Sequence, residues 1–278
     1  ISLGKTMGKI TDQQRQDFQD KITFYKAKID EISGTIKNFS LEIVKNKEKE
    51  PVMRFQIANA ILNQISIFCS MNELSLYMLG VKNTAYLEKA RQLIYEVLMN
   101  FEKVVTNYLD VPFNDYADNL ARISDFSDKE RLNFIKKIGV SIDRIKDDFG
   151  ENSKWKWSFV EVAARFATIA KNLFDMRRFQ KLDDPRELGF QDRRAHLATV
   201  QKLLIDASNA YREKFELSTK DIEDLKKAID CQKALLRINQ LLGDVDKIDN
   251  CRKQIDVWGS LLEKHIAQID EAKKKRTS

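Results

Sequence analysis

The sequence predicts an all-α protein, an elongated multi-helix bundle of about seven long helices with coiled-coil-like packing. Three observations predict it. Nine glycines and three prolines in 278 residues leave little turn chemistry for a β-rich fold. Charged residues make up 32% of the chain, with both signs interspersed beside 43% hydrophobic content, which suits long solvated helices around a core. The third is a heptad seam, Phe18, Ile22, Tyr25, Ile29, Ile32, Ile36, Phe39 and Ile43, in unbroken alternation of four- and three-residue steps.

Residues 1–10 carry no periodicity and are expected to form a flexible lead-in. Gly4-Lys5-Thr6 within them lacks the upstream glycine and the strand of a phosphate loop. The N-terminal helical region is expected over 11–109. Thr11 with Gln14 reads as a capping box opening the seam helix, which at 1.5 Å per residue would reach roughly 55 Å to Lys47. Lys21, Lys26 and Lys28 flank the seam, so a parallel homodimer in this register would set lysine against lysine. Ile222, Leu225 and Ile229 are bordered by Asp221, Glu223, Asp224 and Asp230, so the C-terminal helices are expected to pack back on the first.

Pro51 opens a second helix, apolar around much of its circumference, and Gly80 ends it. A third runs from Thr84 to Tyr108 and should form an antiparallel hairpin with the second. An irregular elbow comes next over 110–126, the expected boundary between two halves. Ser127 and Glu130 form another capping box, opening the C-terminal helical region of 127–273. Its helices are expected from Ser127 to Phe149, Ser153 to Lys181, Gln191 to Phe215, from a cap at Ser218 or Thr219 to Leu242, and a last one to Lys273. A basic tail over 274–278 suits the negative end of a helix dipole.

Composition excludes several function classes. No run of eighteen apolar residues is present to form a membrane-spanning helix. A net charge of +6 is modest for this length and is no nucleic-acid signature, though it permits weak attraction to a membrane surface. Cys69, Cys231 and Cys251 are too few for a disulfide framework, and whether Cys231 and Cys251 bridge is left open. Neither His196 nor His265 has a partner at metal-ligand spacing, and no nucleophile elbow or dinucleotide fingerprint occurs. No enzyme activity, metal or cofactor is expected. Asn38-Phe39-Ser40 matches a glycosylation sequon inside the seam helix, beside a core position. Leu79-Gly80 and Leu242-Gly243-Asp244 look like pieces of a tetratricopeptide hairpin but do not recur at its period.

Two strings stand out as candidate protein contacts. In Lys154-Trp155-Lys156-Trp157, the tryptophans would point about 200° apart on a helix, one into the core and one toward a partner. The stretch from Arg177 to Arg194 carries Arg177, Arg178, Phe179, Arg186, Phe190, Arg193 and Arg194, with six positive charges against four negative. Such a stretch closes a local salt-bridge network around a loop, and arginine with aromatics is also what assembly surfaces enrich.

Three function classes remain: a structural protein assembling with itself or a filament, a BAR-like peripheral membrane adaptor, and an enzyme or metal protein. The size, helicity and long Lys-, Asn-, Ile- and Phe-rich segments such as Trp155 to Phe179 and Phe190 to Phe215 resemble the spirochaetal periplasmic flagellar sheath proteins, the flagellar coiling proteins. The resemblance is one of style across the whole chain and transfers no residue role. It implies a periplasmic, non-enzymatic protein that assembles laterally on a flagellar filament and shapes its curvature. Without it, a cytoplasmic location is expected.

Overall fold

The computed structural model describes residues 10–109 and 111–277, and every structured element among them is helical. The expected lead-in, with Gly4-Lys5-Thr6, falls almost wholly outside the described residues, as do the side chains of Lys273, Lys275 and Arg276 in the tail. The helices are α1 (Asp12–Lys45), α2 (Glu50–Leu79), α3 (Thr84–Val105), α4 (Ala117–Ala121), α5 (Asp128–Phe149), α6 (Lys156–Asn172), α7 (Met176–Lys181), α8 (Phe190–Lys214), α9 (Ile222–Leu242) and α10 (Val245–Thr277). The all-α bundle is the expected class. The described residues form ten α-helices where the expected ranges give eight, because the elbow contains α4 and because the helix expected from Ser153 to Lys181 is broken into α6 and α7.

The chain divides into two compact units. One takes the chain through Val104 together with Phe134–Lys154; the other takes Val105–Asn133 and the chain from Trp155 onward. This differs from the division expected at 110–126. The elbow belongs wholly to the second unit, and the chain passes between the units after Val104, within α5 after Asn133, and after Lys154. A continuous helical pattern hides such a boundary.

In the first unit, both halves of the Thr11–Gln14 capping box are formed, Gln14 N donating to Thr11 Oγ1 at 3.2 Å and Thr11 N to Gln14 Oε1 at 2.9 Å. The seam of α1 lies along α2, the next helix in the chain. Its expected partner α9 belongs to the other unit. Ile22 is buried and the other seam residues are half-buried. Gln64 of α2 reaches across to the Ile29 carbonyl at 3.3 Å and to Ser33 Oγ at 2.8 Å, fixing the pair in register. α2 is buried around most of its surface. Phe55, Phe101 and Phe134 meet edge to face, with centroids 4.9–5.9 Å apart, and join α2, α3 and α5.

In the second unit α6 packs on α8, α8 on α9, and α9 on α10. Ala164, Ala167 and Ala170 are buried on α6, as small residues at a close helix crossing should be. The chain leaves α8 through a π-helical turn, Phe215–Thr219, and Asp221, rather than Ser218 or Thr219, caps α9 by accepting from Glu223 N at 3.0 Å. Thr219 serves Asp224 instead, its hydroxyl donating at 2.7 Å. Cys69, Cys231 and Cys251 are all buried free thiols, and burial pushes Cys69 up to about 11 and Cys231 to about 12. No helix among the described residues is long and apolar enough to cross a membrane.

Candidate interaction site

The break after α6 creates the site. Leu173 and Phe174 continue the apolar stripe and are buried, yet the helix stops at Asn172. Two side chains explain the stop. Asn172 turns its amide onto the carbonyls of Thr106 and Tyr108, at 3.1 and 3.0 Å, and Arg131 Nη1 donates to the Leu173 carbonyl at 3.4 Å. Asp175 then starts α7, accepting from Arg178 N at 2.9 Å. Arg131 is 3% exposed and also donates to the carbonyls of Phe126 and Ile123, at 3.1 and 2.9 Å, so one buried guanidinium ties the start of α5 to the end of α6.

A second buried arginine holds the loop after α7. Arg193, 3% exposed, donates from Nη1 to Asp128 Oδ2 at 2.7 Å and to the Leu188 carbonyl at 2.8 Å, and from Nη2 to the Leu182 carbonyl at 2.7 Å. The segment from Leu182 to Gly189 is thus pinned at both ends by one side chain. Asp128 is shared, since Arg178 Nε lies 3.3 Å from the same oxygen. Gly189 has φ +78°, and a Cβ there would stand 2.9 Å from Asp128 Oδ2 and 3.1 Å from Arg193 Nη1. Only glycine fits both the backbone and the space.

Behind the loop, His196 is buried, 2.8 Å from Nε2 to the Ala170 carbonyl and edge-on to Phe174. Burial pushes it down to about 4; its bond to Ala170 opposes this, and the Arg131 charge adds to it. Nearby, the fully buried Lys171 places Nζ 4.9 and 5.0 Å from the ring centres of Tyr116 and Phe113. Burial raises the Tyr116 hydroxyl strongly, and the negative charge of Asp175 adds to the effect.

The outer surface is different. Arg194 forks onto Asp183 at 2.6–3.0 Å and stacks between the rings of Phe179 and Phe190, 5.1 and 5.4 Å away. Arg186 forks onto Asp184 at 2.6–3.2 Å. Its hydrogen bonds hold the Asp184 carboxyl below the usual range. Leu188 at the tip is 94% exposed. Beside the loop lies a cleft of about 410 Å³ with Leu120, Ala121, Met176 and Leu182 in its wall and Arg177 and Lys181 at its edge.

Seven of the nine candidate residues gather here, in two layers. Arg177, Arg178, Arg186, Phe190 and Arg194 reach the outer face, whereas Arg193 and Phe179 are buried and are corrected from contact residues to supports. Arg193 can turn inward because two carbonyls and the Asp128 carboxylate satisfy its guanidinium there, and Phe179 because its ring packs against Phe174. Trp155 and Trp157 lie at the other end of α6, roughly 25 Å along its axis from α7. Both are half-buried. The two rings do not divide between opposite helix faces, because Trp155 is the N-cap residue, outside the helix proper, while Lys156 Nζ covers the Trp157 ring at 4.7 Å. Asp128, Arg131 and Leu188 were missed. Nothing local in the sequence marks Asp128 as the partner of an arginine 65 residues later, and Leu188 reads as one more aliphatic in a charged stretch.

These features define a helical bundle that carries a fixed, arginine- and aromatic-rich face. The chain belongs to the TP0443 family, whose model matches residues 14–266. The family is of Treponema type, in keeping with the spirochaetal side of the resemblance, and its name says nothing of a flagellar sheath. No curated protein matches the sequence. Among solved structures, a computationally designed self-assembling cyclic homooligomer is similar at 12% identity over 94% of this chain and 99% of that one, with a TM-score of 0.28.

Proposed function

We propose that the protein is a non-enzymatic structural component that works by protein–protein contact through the face made by α7, the 182–189 loop and the first turns of α8. One observation carries this reading. The loop is fixed from behind by Arg193, while Arg177, Arg186 and Leu188 stand in solvent. Side chains and loops ordered before docking lose little further entropy on binding, and arginine and aromatics are the usual anchors of such contacts.

In its finer form, the partner is a periplasmic flagellar filament and the protein is a sheath component that alters filament curvature and motility. The sequence resemblance supports this form, and the Treponema-type family agrees with its spirochaetal part. The test is cosedimentation of the full chain with isolated periplasmic filaments. Wild type is expected in the pellet and Arg186→Glu in the supernatant. Wild type remaining in solution would exclude the filament as partner. To test the face itself, a photo-crosslinking residue is placed at Arg186 and, as a control, at Asp230 on α9. Protein adducts equal at both positions would exclude the face.

A further inference from the structure

The face carries a protruding apolar side chain on the loop that leaves a cleft of mixed apolar and charged lining. Leu188 is 94% exposed, yet its backbone is not loose, because its carbonyl is held at 2.8 Å by the buried Arg193 and the next residue is locked by Gly189. The cleft that Leu182 helps to line, about 410 Å³, has Leu120, Ala121 and Met176 in its wall together with Arg131, Asp175 and Arg178, a volume in the range of small-molecule pockets and more than enough for one leucine side chain. Leu182 belongs to both features, since it lines the cleft while its carbonyl is held by the same Arg193 at 2.7 Å.

The charges keep the same division. The loop's other acids are committed, Asp183 to Arg194 and Asp184 to Arg186. Glu187 beside the exposed leucine and Lys181 at the cleft are both exposed, and neither makes an ion pair or side-chain hydrogen bond among the described residues. These opposite charges form no pair with each other within one copy, and a two-fold axis lets each meet its counterpart on the other copy.

We propose that this face binds a second copy of the chain as a two-fold pair, in which Leu188 of each copy enters the other's cleft and Glu187 of each meets the other's Lys181. The proposal rests on the protein-contact reading and gives it a partner. A second copy is favoured over a foreign protein because knob and cleft lie adjacent on one surface, so a single two-fold operation fills both clefts and pairs both charges at once.

Sedimentation velocity of the full chain over a concentration series tests it. A monomer–dimer equilibrium is expected, and Leu188→Asp should weaken it at least tenfold while leaving the circular dichroism and the melting midpoint unchanged, since the side chain touches little within its own copy. Lys181→Glu and Glu187→Lys should each weaken the dimer, and the two together should restore it. A wild-type chain that stays monomeric, a dimer indifferent to Leu188→Asp, or a double swap that fails to rescue would overturn the proposal. In those cases filament binding or crosslinking at Arg186 would still keep the broader contact reading, so the two stand or fall separately.

Discussion

Along α1, position after position contributes a little: seam residues at three- and four-residue steps are half-covered by α2, and only Ile22 is buried. In the loop between α7 and α8, one guanidinium contributes most, because Arg193 alone ties Leu182, Leu188 and Asp128 together. The first arrangement degrades gradually under substitution. The second has a single point of failure, and it is the one that shapes the candidate contact face. Distributed apolar contact sets where a helix lies; a concentrated polar node sets the shape of a loop to within a bond length.

Substitutions sharpen this contrast in order of expected size. Arg193→Met should cost about 3–5 kcal/mol in urea unfolding, because it leaves the carbonyls of Leu182 and Leu188 without their donor and the nearly buried Asp128 carboxylate with only the longer Arg178 contact. A loss below about 1 kcal/mol would show that the node is not what holds the loop. Next comes acid. His196 sits near 4 when folded and near 6.5 when unfolded, so between those values the unfolded chain binds more protons. Its contribution is intact above pH 6.5 and falls away as the pH drops to about 4, by about 3 kcal/mol at 1.4 kcal/mol per pH unit. His196→Gln should flatten that slope in denaturation series run at several pH values.

Gly189→Ala should cost about 2 kcal/mol through the left-handed backbone and the crowding against Asp128. A stability unchanged by this substitution would mean that the loop has another conformation of equal energy. The smallest effects belong to the seam. Ile36→Ala, half-exposed, should cost only about 1 kcal/mol, and Thr11→Ala a similar amount by removing the cap. Should Ile36→Ala exceed Arg193→Met, the contrast between the two regions is reversed.

Legibility divides along the same line. The seam, the capping boxes at Thr11 and Ser127 and the stop at Gly80 are readable because each is a local rule: a period, a three-residue spacing, a residue free to take positive φ. The seam lies along α2, which chain connection supplies as its neighbour, whereas the expected pairing of α1 with α9 rests on long-range charge complementarity that no local rule carries. The end of α6 is invisible in sequence for a sharper reason. Leu173 and Phe174 keep the apolar rhythm, and what ends the helix is the amide of Asn172 and the guanidinium of Arg131, neither of which has a periodic signature. The charged stretch from Arg177 to Arg194 is recognisable as a network. Which of its members turn inward is not, because that depends on Asp128, in a different helix.

The three cysteines have a practical consequence. All lie within 4% of full burial, and the raised thiols stay protonated at neutral pH. The native molecule is therefore silent toward maleimides. A single cysteine placed at Leu188 becomes its only reactive handle, ready for a spin label or dye that reports distances on the contact face without any background to remove. The buried three serve a second purpose, since their labelling begins only when a unit opens. Cys69 then times the opening of the N-terminal unit, while Cys231 and Cys251 time that of the other.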